Sequence, residues 1–176
     1  MINYLPYCLD ICTNVSLILC IVFSVKFFYK LSLLLRIVVS IIVISASILV
    51  PIVMQTNILW IMRGALSDLS INSMLILLIL ATNKVFGVCI PRIKYSYALL
   101  IFIIGVMLYL SVFGVINFSI YNLGFTPNWS FFLGLYFIVL LIWQLNRFYA
   151  WVLFISLVAF YYKLQNSINL WDYIID

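Results

Sequence analysis

Apolar runs of about twenty residues alternate along the chain with short stretches that hold most of the charged residues, prolines and asparagines. A helix that crosses a bilayer needs about 20 mostly apolar residues. The pattern therefore predicts an all-α, polytopic membrane bundle, in which six transmembrane helices are joined by short loops. The predicted segments are 6–26, 32–54, 69–90, 95–116, 129–145 and 148–163. We expect them to form a single transmembrane domain over residues 1–176.

The last two segments are separated only by Asn146 and Arg147. One continuous helix over 129–163 would be ~50 Å long at about 1.5 Å per residue, and a bilayer core is only ~30 Å thick. The sequence therefore predicts a tight helical hairpin here. The first basic residue of the chain is Lys26, so we expect the first segment to be a retained helix and not a secretory signal. A five-helix version, in which this segment lies on the membrane and leaves the N-terminus inside, is the alternative.

Composition agrees with a surface that faces lipid. Hydrophobic residues make up 68% of the chain and charged residues 7%, with a mean hydropathy of +1.32. Soluble domains carry about 25% charged residues, so this chain has too few to cover a surface in water. The net charge of +5 does not predict nucleic-acid binding, because the basic residues stand singly between apolar runs.

The basic residues indicate an orientation across the membrane. If the first loop is cytoplasmic, or faces the equivalent side of an organelle, seven of them lie at the inner side: Lys26, Lys30, Arg36, Lys84, Arg92, Lys94 and Arg147. Two lie outside, Arg63 and Lys163, a split that follows the positive-inside rule. Trp60, Trp129 and Trp171 then lie at outer helix ends, where indole rings favour the interface. We expect a bacterial or organellar inner membrane, with both termini outside.

The stretch 55–73 is predicted as an outer loop that holds a binding site. Arg63 is followed five residues later by Asp68, and the same stretch holds Trp60 and Asn72. Asp68 stands just before the third segment, where a carboxylate can act as a helix N-cap. In this structural interpretation Arg63 pairs with Asp68 or with a lipid phosphate. The functional alternative is a small polar site in which Arg63 binds an anionic head group or a partner protein.

The C-terminal residues predict a short interfacial helix. Leu170, Trp171, Ile174 and Ile175 would share one face, with Asp172 on another. This helix could lie on the membrane or dock on a neighbouring subunit. The predicted interface residues are Trp171, Asp172 and Tyr173.

Small residues within two of the segments predict close helix contacts. They are Ser40, Ser45, Ala46 and Ser47 in the second segment, and Gly105, Ser111 and Gly114 in the fourth.

The sequence offers little for catalysis. It has no histidine and no glutamate, and its four cysteines form no Cys-x-x-Cys pair. Neither a phosphate-binding glycine loop nor a serine-nucleophile motif occurs. We therefore expect no cofactor and no metal, and the prediction leans away from an enzyme.

The leading functional hypothesis is a non-catalytic membrane subunit or accessory protein, with membrane lipids and other membrane proteins as partners. The first alternative is a lipid-handling or small-solute-handling protein that uses Arg63 and Asp68 at the outer face. The second is an Asp-dependent intramembrane enzyme, in which Asp68 would pair with another carboxylate.

Overall fold

The computed structural model describes residues 5–25, 28, 30–49, 51–53, 56–66, 69–88, 95–117 and 119–175. Within this part of the chain the fold is helical apart from two short strands, which confirms the predicted all-α class. The α-helices are α1 (Leu5–Val22), α2 (Leu33–Leu49), α3 (Ile58–Leu66), α4 (Ile71–Phe86), α5 (Tyr95–Val112), α6 (Trp129–Leu145), α7 (Arg147–Tyr161) and α8 (Trp171–Ile174). A 3₁₀ helix spans Tyr121–Gly124.

Each of the six predicted segments overlaps one of these helices, but several helices end earlier than predicted. α4 ends before Gly87 and α5 before Gly114, and both glycines have φ near +70°. After α7, Lys163 takes the same left-handed conformation with φ of 52°. The Lys163 and Leu164 amides donate to the Phe160 and Ala159 carbonyls, which closes the helix end in a Schellman motif.

The prediction that residues 55–73 form a loop is wrong. Strands β1 (Pro51–Val53) and β2 (Thr56–Asn57) pair antiparallel, and α3 follows directly. Within α3, Leu59 is buried whereas Trp60 and Ile61 are exposed, so this helix is amphipathic. Pro51 cannot continue α2, because its backbone nitrogen carries no hydrogen and cannot donate the hydrogen bond that a further helical turn needs.

One of the described helices, α5, is long and apolar enough to cross a membrane. Five shorter described stretches of 10–17 residues are also apolar. They are Tyr7–Val22, Leu33–Leu49, Ile71–Phe86, Trp129–Leu145 and Arg147–Tyr161. The six-span bundle and the orientation of the termini stay predictions.

The chain divides into two compact units, and the prediction of a single domain stays untested. Unit 1 comprises 1–69 and 74–90, and unit 2 comprises 70–73 and 91–176. In unit 1, α1 packs against α2 and α3. The buried centre of unit 1 contains Leu19, Phe23, Ala81 and Val85.

In unit 2, α6 and α7 pack together as the predicted helical hairpin. Asn146 forms the turn in an extended conformation, with φ of −162°. Its amide donates to the Ile142 carbonyl, and its Oδ1 accepts a hydrogen bond from the Phe148 amide at 2.9 Å. One residue therefore ends α6 and caps α7.

Several small residues of α2 and α5 are buried, whereas many large apolar side chains of the same helices are exposed. Ser40, Ser47, Gly105 and Ser111 are buried, as predicted for close helix contacts. Ser45, Ala46 and Gly114 are exposed, so the same prediction is wrong for them. The Ser40 and Ser47 hydroxyls donate to carbonyls four residues earlier, which satisfies them within their own helix.

Candidate functional site

The residues predicted for the outer binding site do not form one described cluster. Asp68 and the side chain of Arg63 lie outside the described residues. Trp60 belongs to unit 1, whereas Asn72 belongs to unit 2. The predicted pairing of Arg63 with Asp68 and the possible pairing of Asp68 with a second carboxylate therefore stay predictions.

Trp60 lies beside a small cavity of about 160 Å³ in unit 1. Its ring contacts Tyr7, with centroids 5.6 Å apart. The Trp60 amide is 3.3 Å from Asn57 Oδ1, and the Asn57 Nδ2 group donates to the Ile48 carbonyl at 2.7 Å. The cavity is lined by Tyr7, Ile11, Asn14, Ile48, Asn57, Leu59 and Trp60. The tryptophan is 48% exposed, so its ring stays accessible to a ligand or to lipid.

Asn72 is buried and bridges two elements of unit 2. Its Nδ2 group donates to the Ile174 carbonyl at 3.0 Å. Its Oδ1 atom accepts a hydrogen bond from the Tyr97 hydroxyl, also at 3.0 Å. Tyr97 in turn stacks on Tyr149 at a centroid distance of 4.2 Å. The observed role of this asparagine is to hold the C-terminal segment, and a ligand contact for it stays a prediction.

The segment 164–175, which we call the tail, packs onto its own unit. The Leu170 amide donates to the Gly124 carbonyl at 2.9 Å, and the Trp171 indole N–H donates to the Ile120 carbonyl at 3.1 Å. The Trp171 ring meets Phe131 edge to face at 5.6 Å. Trp171 and Tyr173, predicted as interface residues, are thus buried within the unit. An interface with a second protein stays a prediction.

Gly124 allows this close approach. A Cβ atom at position 124 would come within 3.0 Å of both Asn169 and Trp171. Glycine is therefore required here by the neighbouring side chains, and the tail rests directly against the backbone of the 3₁₀ helix.

Tyr173 closes the tail on itself. Its hydroxyl lies 3.1 Å from the Gln165 carbonyl and 3.2 Å from the Ser167 carbonyl, and it accepts a hydrogen bond from the Gln165 amide. Burial raises the pKa of this phenol, the bond from the Gln165 backbone lowers it, and the nearby Asp172 carboxylate raises it further. The neutral hydroxyl is therefore the form that the folded tail favours.

Asp172 lies in the wall of a larger cavity of about 300 Å³ that we call the tail cavity. The Ser167 hydroxyl donates to Asp172 Oδ2 at 2.5 Å. The cavity is lined by Gly105, Leu108, Tyr109, Val112, Tyr121, Trp171, Asp172 and Ile175. Asp172 is the only charged residue in this set, and the remaining wall is mostly apolar or aromatic.

The sequence pattern does not predict the tail cavity. Gly105 is predicted only as a helix contact, and Leu108 and Tyr121 are given no role by the pattern. The polar run before the tail helix carried a usable signal, because Ser and Asn favour local turns. Ser167 Oγ accepts a hydrogen bond from the Asn169 amide, and Asn169 Oδ1 accepts one from the Trp171 amide.

No protein-family model, curated protein or solved structure matches this chain. Among the described residues, no three His, Cys, Asp or Glu side chains come together as they would around a metal ion.

Proposed function

We propose that this chain is an integral membrane protein with six spanning helices, and that it acts as a non-catalytic subunit or accessory protein of a membrane complex. The observation that carries the membrane assignment is the distribution of side chains on α5. Leu99 and Phe102 are 58% and 66% exposed, whereas Gly105 and Ser111 are buried. Helices in a bilayer pack through small residues and direct large apolar side chains toward lipid or a partner.

The shorter helices fit the same assignment. Ile41 and Ile42 of α2 and Leu141 of α6 are exposed, although a soluble protein would cover such residues. Helices of 15–18 residues span about 22–27 Å, so flanking residues outside the regular helices would complete the crossing of a ~30 Å core. The five-span version, in which α1 lies on the surface, is the alternative arrangement.

Labelling from one side of the membrane tests the proposed topology. In a cysteine-free background, Arg147→Cys and Asn166→Cys place single thiols at the α6–α7 turn and in the tail. Residue 147 is exposed, as is residue 166. We expect an impermeant maleimide added outside intact cells to label position 166 alone. Labelling of both positions would contradict the α6–α7 crossing, and labelling of 147 alone would reverse the orientation.

The subunit role is supported by how the chain uses its polar groups. Asn72, Tyr97 and Tyr173 are engaged in hydrogen bonds within unit 2. The exposed surface instead offers broad apolar and aromatic helix faces, such as Trp143 and Trp151 on the hairpin. Such faces are suited to contact with other spanning helices or with lipid acyl chains.

Native purification in mild detergent tests the subunit role. We expect a second membrane protein to co-purify in stoichiometric amount with the wild-type chain. A protein that behaves as a stable monomer without a partner would refute it. Trp143→Ala with Trp151→Ala gives a hairpin variant, and Trp129→Ala, also exposed, is the matched control at the other end of α6.

A second candidate function is lipid or small-solute handling at the outer face. The observation that favours it is the exposed Trp60 ring beside the 160 Å³ cavity of unit 1. Substitution of Arg63→Ala and Asp68→Asn should weaken lipid or solute binding if the predicted polar site lies there. Unchanged binding in both variants would remove this candidate.

A further inference from the structure

The tail cavity combines an acidic group with an apolar wall inside unit 2. Leu108 and Trp171 form buried parts of that wall, and Ile175 contributes a half-buried side chain. A volume of about 300 Å³ is at the lower end of small-molecule sites. The cavity therefore holds part of a ligand and not a large molecule as a whole.

Within the described part of the chain, Asp172 gives the site a negative charge. Asp172 lines the cavity, and none of the lysines or arginines that the structure describes does. Among the described residues no ion pair to Asp172 is present, and its recorded hydrogen bond comes from the neutral Ser167 hydroxyl. A carboxylate in a largely apolar wall is stabilised by a ligand that brings a positive charge and hydrogen-bond donors.

The cavity opens along the apolar face of α5. Tyr109 and Val112 line it and are each more than half exposed, whereas Gly105 and Leu108 beside them are buried. In the proposed orientation this part of α5 approaches the outer leaflet. A ligand would therefore enter sideways from lipid, with its apolar part first.

We propose that the tail cavity binds a membrane amphiphile that carries a primary ammonium group. An acyl chain lies along Leu108, Val112 and Ile175, and the ammonium group donates to the Asp172 carboxylate. This inference depends on the membrane assignment proposed above, and it adds a ligand class and a site. Ser167 acts as a positioning residue, because its hydroxyl holds one carboxylate oxygen of Asp172.

The test measures lipid retained by the full chain after extraction into mild detergent, by native mass spectrometry. The probes are dioleoyl phosphatidylethanolamine, phosphatidylcholine and phosphatidylglycerol, added singly. We expect the ethanolamine lipid to be retained about tenfold more than the glycerol lipid, since a hydrogen-bonded charge pair has an effect of this size. Equal retention of the three lipids, or preference for the glycerol lipid, would overturn the assignment.

Asp172→Asn tests the charge while keeping a side chain of the same shape. We expect its selectivity for the ethanolamine lipid to fall about tenfold, toward equal retention. Ser167→Ala tests the positioning role, because it removes the hydrogen bond to Asp172 and leaves the charge, and we expect it to lower the selectivity less than Asp172→Asn does. An Asp172→Asn variant with unchanged selectivity and a docked tail would overturn the site.

Tail docking is followed independently by tryptic cleavage after Lys163, an exposed residue at the start of the tail. If Asp172→Asn speeds this cleavage, the Val112→Trp variant tests the site instead. It narrows the cavity from an exposed position on α5 and changes no residue of the tail. Val106→Trp, on the same helix outside the cavity, is its control. Loss of retention in the first variant alone supports the site, and equal retention in both refutes it.

Dodecylamine tests whether an ammonium group and an apolar chain are sufficient for binding without the rest of the lipid. It carries the ammonium group and an apolar chain but no phosphate. Competition with the ethanolamine lipid supports recognition by these two features, and absence of competition shows that another part of the lipid is recognised. A chain that does not remain in the membrane after alkaline extraction refutes the membrane assignment, whereas a membrane-resident chain without amine selectivity refutes only the inference.

Discussion

The tail 164–175 and the segment 51–66 have similar sequences, but their tryptophans differ in burial. Both contain a tryptophan among aliphatic residues, and both were predicted to lie at the outer face. Trp171 is 7% exposed and its indole N–H has a backbone partner, whereas Trp60 is 48% exposed. The Ile120 carbonyl, 51 positions away along the chain, accepts this indole N–H and so satisfies the one polar group that burial of Trp171 removes from solvent.

Gly124→Ala should produce the largest loss of stability, because the tail contacts the backbone of the 3₁₀ helix at this position. A new Cβ would come within 3.0 Å of Asn169 and Trp171, both buried. We expect a loss of about 3 kcal/mol, seen as a lower unfolding temperature in detergent and faster cleavage after Lys163. Gly134→Ala is the control, since no neighbouring atom lies within 4 Å of a Cβ there. Equal behaviour of the two variants would contradict tail docking against Gly124.

Asn72→Ala should have the next largest effect. It leaves the Ile174 carbonyl and the Tyr97 hydroxyl without their partner, at a cost of about 1–3 kcal/mol. Asn57→Ala is the matched change in the other segment, where the side chain also donates to a carbonyl but is partly exposed. Chemical unfolding of both variants should show the smaller loss for Asn57→Ala, and the opposite order would overturn the comparison.

Alkaline pH should release the tail through Tyr173. Burial raises the pKa of this phenol above its ordinary value, so the folded tail favours the neutral form. The neutral phenol of Tyr173 contributes its full stabilisation of the docked tail below about pH 10, the ordinary tyrosine pKa. This stabilisation is lost as the pH rises through the higher pKa of the folded state. A fluorophore at Asn166→Cys, in a cysteine-free background, should gain mobility in that range. Tyr173→Phe should remove this step, and a step of the same size in that variant would assign it to another tyrosine.

Trp60→Phe should have the smallest effect. The ring is half exposed, and surface substitutions usually change stability by less than about 0.5 kcal/mol. Trp171→Phe is its counterpart in the tail, and it should cost more because the Ile120 carbonyl loses its donor. Thermal unfolding of the two variants side by side gives the difference. A larger loss for Trp60→Phe would show that segment 51–66 is the more firmly held of the two.

The helix positions could be predicted because apolar runs and punctuation by charge, glycine and asparagine are local properties. Segment 129–145 coincides with α6, and the hairpin turn at Asn146 follows from length alone. The helix ends were less accurate, since Gly87 and Gly114 end helices that the apolar pattern would continue. The strand pair and α3 do not follow from the sequence pattern, because a polar interval predicts a loop.

The site was less predictable than the fold. Asn72 was selected as a binding residue for its position in a polar stretch, yet its partners are Tyr97 and Ile174. These contacts join residues far apart in the chain, and no local pattern encodes them. Asp172 was selected for a face of a short helix, and its place in the tail cavity depends on Gly105 and Tyr121 as well.

The hydrogen bond from Asn72 to Ile174 connects residues 102 positions apart. Helices form within about a microsecond by themselves, whereas a contact across so long a loop forms only after the intervening chain has been ordered. We therefore expect this bond to be absent from the transition state for folding. A contact of that kind changes the unfolding rate far more than the folding rate. We therefore expect loss of this bond to speed unfolding of the protein and to change its folding rate little.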